Sequence, residues 1–363
     1  MSPAANPAPL RPIVVGVDGG NTKTVALVVA GDGTVLGAGR AGCGDIYGCG
    51  DVDGAFLELD IAMVAALKDA GLRADDLDGA AFSMAGADWP EDFVLLDGQV
   101  AERGYGRRRV VVNDAIGALR ASLPEGVGVA ITCGTGAAIG ARSADGRIWH
   151  SSFWPDHAGG YQLGERAIRA AIRSHLGLAP PTLMTAPLLA TLKVDTVEAM
   201  LHRRIHRGGT WTLADAAALA PIVLDAAHDG DEAALALVAA QGTALGDMGV
   251  VAANQTGQSG AFPIALTGGI FRHPTGLLLA AVVARLRRDL PEIAIDRAEL
   301  EPVAGAVLLA FEALGEPVSP GRRDRLRATM PGHAFFSTVN RGEPRPQTPA
   351  PDPMEETAPD PSA

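Results

Sequence analysis

Lysine is nearly missing from this 363-residue chain: Lys23, Lys68 and Lys193 are the only three, and every other basic side chain is arginine. Acids outnumber bases to give a formal charge of −12, so there is no basic excess to follow nucleic-acid phosphates, and nucleic acid is excluded as an expected partner. Three cysteines, Cys43, Cys49 and Cys133, are too few for a disulfide framework in a chain of this size. Residues 1–10 lack the basic and apolar regions of a secretory signal. The apolar run 126–141 is shorter than a bilayer span and is broken by five glycines. The expectation is a cytoplasmic protein that does not enter a membrane.

What is present is apolar and glycine-rich. Hydrophobic residues make up 47% of the chain, enough to fill two cores, and its length suits two domains better than one. Residues 1–11 hold three prolines without periodicity and read as a loose leader. A strand (Ile13-Val14-Val15-Gly16-Val17), a polar glycine turn over 18–22 and a second strand over 25–30 follow. Gly31-Asp32-Gly33 signals a hairpin into a third strand, Thr34-Val35-Leu36. Helical spacing then runs over 55–70 and stops at Gly71, and short apolar strands at 80–84 and 110–112 each run into a polar turn.

The pattern then starts again. Residues 127–132 form a strand, Gly134-Thr135-Gly136 a turn, and 137–142 another strand. A long helical stretch covers about 165–240, broken at Pro180-Pro181 and Gly208-Gly209. A further strand at 264–266 ends in Thr267-Gly268-Gly269, and helices follow at 277–288 and 303–314. Alternating strands and helices imply an α/β fold with chemistry at the C-terminal strand ends. Residues 344–363 carry seven prolines, so a disordered tail is expected from about 319.

The glycine turns carry the functional argument. In Asp18-Gly19-Gly20-Asn21-Thr22, paired glycines let backbone N–H groups approach phosphate oxygens, while the carboxylate suits Mg²⁺ held through water. An ordinary glycine hairpin explains that motif equally well, and Lys23 reads as a solvated lysine or a phosphate contact. Gly134-Thr135-Gly136 gains weight as a second copy of the same unit, because two facing phosphate turns describe a clamped nucleotide. Gly268 and Gly269 let backbone lie along an adenosine or simply turn a strand into a helix. Asp114, in Asn113-Asp114-Ala115, is either a helix cap or a general base at the cleft mouth, accepting a proton from a substrate hydroxyl. Asp88 contacts substrate or caps the helix that Pro90 starts. His150 and His157 lack metal-ligand spacing and read as loop residues.

Taken together, Gly16-Val17-Asp18-Gly19-Gly20-Asn21-Thr22-Lys23-Thr24, Ala85-Gly86-Ala87-Asp88, Asn113-Asp114-Ala115, Cys133-Gly134-Thr135-Gly136 and Thr267-Gly268-Gly269 resemble the N-acetylglucosamine kinase family. More broadly they resemble the BadF/BadG/BcrA/BcrD ATPases of the actin-like, sugar-kinase superfamily. The resemblance spans about residues 12–315 and implies two ribonuclease-H-like, actin-like ATPase domains around an interdomain nucleotide cleft. The implied domains are 12–122 and 123–300, the second with a helical insertion, followed by a closing helix at 301–318. ATP and Mg²⁺ are the implied cofactors. Asp114 would be the base, Asp18 the metal-side acid, and Gly19, Gly20, Asn21, Thr22, Lys23, Gly134, Thr135, Gly136, Gly268 and Gly269 the nucleotide contacts. Asp45, Asp88, Asn113, Ala137, Gly159, Gly160 and Glu165 occupy the sugar-side positions. Asp45 stands where the family often has Asn, Ala137-Ala138 replaces a polar pair, and Glu165 replaces an Asp. The implied activity is phosphorylation of an amino sugar, N-acetylglucosamine or a glucosamine-like relative, by a homodimer. A BadF-type ATPase, or a non-catalytic ATP-binding scaffold, is the alternative.

Overall fold

The computed structural model describes residues 10–152, 154, 158–297 and 300–337. Its first half runs β1 (Val14–Gly19), β2 (Thr24–Val29), β3 (Val35–Ala41), α1 (Val52–Ala70), β4 (Gly79–Met84), α2 (Pro90–Glu102), β5 (Arg108–Asn113) and α3 (Asp114–Ser122). The second half runs β6 (Gly128–Cys133), β7 (Ala137–Arg142), β8 (Ile148–His150), then α4 (Gly160–His175), α5 (Thr185–Leu192), α6 (Val197–Ile205), α7 (Leu213–Ala217), α8 (Ala220–His228) and α9 (Glu232–Gln255). It closes with β9 (Pro263–Thr267), α10 (Leu277–Asp289) and β10 (Ala294–Arg297). Three more helices follow: α11 (Pro302–Ala313), α12 (Pro320–Thr329) and α13 (His333–Phe336).

The repetition read from the sequence is a duplication of topology. One sheet has the order β3-β2-β1-β4-β5 and the other β8-β7-β6-β9-β10. In each, a three-strand antiparallel meander leads by its first strand into two parallel neighbours. Both glycine turns therefore sit at the same place, between the first and second strand of a sheet. β8 and β10 escaped the sequence reading because they are short edge strands of three and four residues.

Local chemistry accounts for the elements. In α1 the buried residues Ala55, Phe56, Leu59, Ala62, Met63, Ala66 and Leu67 recur at helical spacing, so one face is apolar. Asp51 caps its first turn by accepting from the Gly54 N–H, and left-handed Gly71 ends it. The stripe lies on β3 so closely that a Cβ on Gly39 would stand 1.9 Å from the Ala62 carbonyl oxygen. α9 has the length and apolarity of a membrane span, yet Val238, Leu245, Ala252 and Ala253 are buried in the core beside β6 and β7. The interrupted helical stretch from 165 to 240 resolves into α4 to α8 and the first turns of α9, with α4 beginning earlier, at Gly160.

Two helices join the halves. α11 packs on β1 and β4 of the first sheet, although it follows the second sheet in sequence. It crosses α3 at backbone contact: a Cβ on Gly305 would lie 1.9 Å from the Gly117 carbonyl oxygen. α3 also lies against β7, where a Cβ on Gly140 would meet the Ala115 carbonyl oxygen at 2.6 Å. α3 is thus clamped between the two sheets.

The tail expected from about 319 is ordered to residue 337. Seven of its nine prolines lie beyond that point, while 320–336 holds only Pro320 and Pro331 and buries Leu326 and Phe336 against the first sheet and α11. Ser319 caps α12 by accepting from the Arg322 N–H, and Pro320 occupies its first turn. Residues 338–363, most of the expected leader and His157 lie outside the described residues.

The α3–α11 crossing has a measurable consequence. Gly305→Val forces the two helices apart and is expected to cost about 3 kcal/mol in denaturant unfolding. Gly136→Ala, whose Cβ meets nothing within 4 Å, is expected to leave the midpoint unchanged. Equal midpoints for both variants would contradict the crossing.

Candidate active site in the cleft between the sheets

The first turn is held by its own backbone. The Gly20 N–H donates to the Lys23 carbonyl at 2.9 Å, the Ala85 N–H to the Gly19 carbonyl at 2.8 Å, and the Gly44 N–H to the Gly20 carbonyl at 3.0 Å. Gly19 packs on the Met84 thioether, which a Cβ there would meet at 2.7 Å. Asn21 and Thr22 are exposed at the tip. Asn21 Nδ2 donates to Asp45 Oδ2 at 3.1 Å, which ties the turn to the loop after β3. Lys23 is only partly exposed, which removes the solvated-lysine alternative, and its ammonium donates to the Phe336 carbonyl.

The second turn is built differently. Gly134 N–H donates to the Gly136 carbonyl, and the N–H groups of Gly160 and Tyr161, opening α4, donate to the carbonyls of Gly134 and Thr135, all at 2.9 Å. Gly159 and Gly160 are pressed onto this turn, where added Cβ atoms would come within 2.5 Å of Gly136 and 2.6 Å of the Gly134 oxygen. Buried Gln241 of α9 donates to the carbonyls of Ala158 and Gly159 and holds that junction in place. The outer sides of Gly134, Gly136 and Gly269 face open space, with nothing within 4 Å of an added Cβ. Gly268 is confined instead: its φ is +101°, and a Cβ would meet the Cys133 carbonyl at 2.3 Å.

Four carboxylates gather around these turns. Asp18 ends β1, Asp114 opens α3, Asp45 lies in the loop after β3, and Asp88 precedes α2. Burial pushes the Asp18 carboxyl up to about 7, helped by the Asp114 charge and opposed by Lys23. Asp114 is raised to about 6 by burial and then by Asp45, against the Ala115 N–H that favours its ionised form. Asp88 reaches about 7 through burial and the Asp114 charge, offset by a hydrogen bond from Ser152. The shifts link these groups into one electrostatic unit around the start of α3.

Asn113 serves as the N-cap of α3, accepting from the Ala115 N–H at 3.1 Å. Its amide donates to Asp88 Oδ1 at 2.9 Å and to the Ala87 carbonyl at 3.1 Å, so it orients Asp88. Ala137 pairs with Cys133 at the start of β7, beside the second turn. Glu165 is not brought into the carboxylate group. It is bound by Arg204, at 2.8 Å from Nε, and by Trp211 Nε1 at 3.0 Å, within the helical insertion.

Sequence reasoning passed over several residues here. Ser152, in a left-handed conformation with φ of 41°, donates from its hydroxyl to the Asp88 backbone carbonyl at 3.5 Å, linking the second half to that residue, and meets His150 Nδ1 at 2.6 Å. Asp92 is buried and accepts from the Tyr47 hydroxyl at 2.9 Å and the Trp89 N–H at 2.8 Å, which fixes the start of α2. A carboxylate three positions into a helix was the available signal. Nothing local marked Ser152 or Gln241.

The donor set fits a magnesium nucleotide. Among the described residues no three His, Cys, Asp or Glu side chains come close enough to hold a metal ion together. Mg²⁺ does not need such a cage, because it keeps water and takes one or two carboxylates plus phosphate oxygens. Asp18 would supply the carboxylate, and the open sides of Gly134 and Gly136 leave room for phosphates to approach backbone.

Comparison with known proteins adds to this geometry. The sequence profile of the BadF/BadG/BcrA/BcrD ATPase family matches residues 15–310. The chain is 27% identical over 317 residues to the N-acetyl-D-glucosamine kinase of Dictyostelium discoideum, covering 84% of this chain and 99% of that protein. In fold it resembles a Chromobacterium violaceum protein provisionally named an N-acetylglucosamine kinase, with TM-score 0.65, 24% identity, and coverage of 83% of this chain and 99% of that one. It also resembles a ROK family glucokinase from Streptomyces griseus in complex with glucose and AMPPNP, with TM-score 0.53, 21% identity, and coverage of 84% and 100%. The actin-like two-domain fold expected from the sequence is therefore found.

The carboxylate unit can be read by carboxyl ¹³C NMR. In the free protein a resonance absent from Asp114→Asn is expected to titrate near 6. Asp45→Asn removes the neighbouring negative charge, so the same resonance is expected to titrate at lower pH. An ordinary titration near 4, unmoved by Asp45→Asn, would contradict the cluster.

Proposed function

Because the chain belongs to the BadF/BadG/BcrA/BcrD ATPase family, we propose that it is a cytoplasmic ATP-dependent kinase that phosphorylates an amino sugar. The acceptor is a hydroxyl of N-acetylglucosamine or a glucosamine-like sugar. The observation that carries this reading is a buried Asp18, beside the first of two glycine turns of duplicated topology, whose carboxyl feels the charge of the buried Asp114 at the start of α3. The Dictyostelium relative, aligned over nearly its whole length, supports the sugar acceptor.

The chemistry follows from the side chains. Asp114, ionised above about pH 6, accepts the proton of the attacking sugar hydroxyl, and its place at the cleft end of α3 is set by backbone contact with both halves. The sugar oxygen forms a bond to the γ-phosphorus while the bond to the β–γ bridging oxygen breaks, and ADP leaves. Mg²⁺, when bound, neutralises phosphate charge on the Asp18 side. Backbone N–H groups of the two turns orient the triphosphate, with Thr22 and Thr135 as hydroxyl donors and Gly268 and Gly269 beside the nucleoside. Asp88, aimed by Asn113, and Asp45, held by Asn21, bind sugar hydroxyls or an amino group. Ser152 ties the second half to Asp88, so sugar binding and domain closure share a contact and water is kept from the γ-phosphate.

A BadF-type ATPase that activates a partner through an iron–sulfur cluster shared across a dimer would need cysteines placed to ligate that cluster. Cys133, the last residue of β6, is fully buried, and Cys43 and Cys49 share the loop after β3, where the Cys49 thiol donates to the Cys43 carbonyl at 2.8 Å.

ADP release with Mg-ATP and a panel of amino and neutral sugars tests the assignment. One amino sugar is expected to raise turnover well above the basal rate. Asp114→Asn is expected to lower kcat by about 10³-fold while leaving ATP affinity within about twofold. Sugar-independent hydrolysis that survives Asp114→Asn would replace the kinase reading with that of an ATPase.

A further inference from the structure

The family match ends at residue 310, yet the ordered chain continues as a strap that returns to the first sheet. Arg322 of α12 donates from Nε to the Gly31 carbonyl at 2.9 Å and lies over the Phe311 ring, 4.2 Å from its centroid. The Thr329 hydroxyl accepts from the Val35 N–H at 2.9 Å, and Leu326 is wholly buried. The strap then delivers the one-turn helix α13, with Phe336 buried against the same core.

The end of α13 lies on the first glycine turn. Phe335 and Phe336 close the helix, so their carbonyl oxygens have no partner within it. Two cations of the first sheet take them up: Arg40 Nη1 donates to the Phe335 carbonyl at 2.7 Å, and the Lys23 ammonium donates to the Phe336 carbonyl. Arg40 is on β3, while Lys23 belongs to the turn that follows Asp18. An ammonium has three donors, and the Phe336 carbonyl is the one hydrogen-bond acceptor found for Lys23 among the described residues. The charges of Asp18, Arg40, Glu301 and Arg272 all act on Lys23, the last two paired at 3.7 Å between the start of α11 and the segment just beyond the Gly268-Gly269 turn. Lysine is scarce in this chain, and one of its three lysines is held, partly buried, at a phosphate turn by backbone from outside the family core.

We propose that α13 is a positioning element for the nucleotide: Arg40 clamps the strap through the Phe335 carbonyl, and the Phe336 carbonyl holds the Lys23 ammonium so that its remaining donors meet a triphosphate at the first turn. The inference rests on the reading of that turn as a phosphate site. Lysine on a four-carbon stem loses much rotamer freedom when fixed, and a carbonyl that fixes it beforehand removes that cost from binding. Lys23 contacts the nucleotide; α13 acts through it.

Binding of Mg-ATP measured by calorimetry tests this in five proteins: the full chain, a chain ending at Gly332, the full-length Phe335→Ala/Phe336→Ala variant, Lys23→Met, and Lys23→Met combined with the Phe335→Ala/Phe336→Ala change. Losing α13 by either route is expected to raise the dissociation constant at least about tenfold, the effect of one hydrogen bond to a charged group, while KM for the sugar moves less than about twofold. In the Lys23→Met background the added Phe335→Ala/Phe336→Ala change is expected to matter less than about twofold, since the residue it acts through is gone. Equal weakening with and without Lys23 would mean a general loss of stability and overturn the proposal. Unchanged or tighter binding in the α13 variants would overturn it too, the latter making the strap inhibitory. Failure of the full chain itself to bind Mg-ATP would remove the kinase reading along with it, whereas normal binding by the full chain and by both α13 variants removes the strap alone.

Discussion

Everything in the cleft depends on how closely α3 is gripped. Its backbone touches α11 at Gly117 and β7 at Ala115, with Gly305 and Gly140 supplying the missing side chains on the facing elements. A methyl group would meet the α3 backbone at 1.9 Å from Gly305 and at 2.6 Å from Gly140, so either would force the helix to shift. Asp114 is the first residue of that helix, so the proposed base is held by main-chain contact with both halves and not by a flexible loop. The same grip lets α11, which follows the second sheet in sequence, cover the first sheet and join the halves at the bottom of the cleft.

Duplication divides the labour unequally. Both sheets present a glycine turn at the same topological point, but the first turn carries the charged groups, Asp18 and Lys23, and the second carries none. Instead, the second turn is braced from behind by the start of α4 and by Gln241, which leaves its outer side open. A charged turn facing an open, neutral one suits a ligand whose metal and phosphate ends differ. The carboxylates on the α3 side raise one another's proton affinity, a cost in folding that is retained where their placement serves chemistry.

Much of this was legible in the residues. The strand–glycine–strand unit showed twice because buried strands need continuous apolar runs and tight turns need glycine, and both signals are local. Asp18, Asp114 and the glycines of the two turns stood out for the same reason. Glu165 looked like a sugar ligand by position, yet Arg204 and Trp211, 39 and 46 residues away, claim its carboxylate. Gly159 and Gly160 stand at sugar-side positions by resemblance, and their packing adds a support of the second turn that no local signal marked. Ser152 and Gln241 were silent because their partners, Asp88 and the Ala158–Gly159 backbone, lie 64 and about 80 positions off. The order of 320–336 was missed because a proline-rich end drew attention from one buried leucine and one buried phenylalanine. Local periodicity reports an element; it does not report which distant side chain completes it.

The central claim concerns where the γ-phosphate goes, and ³¹P NMR of the protein with Mg-ATP and an amino sugar follows that atom directly. The account predicts a phosphomonoester resonance growing in step with ADP, with little inorganic phosphate. Inorganic phosphate as the sole product, with the sugar recovered unchanged, would contradict it.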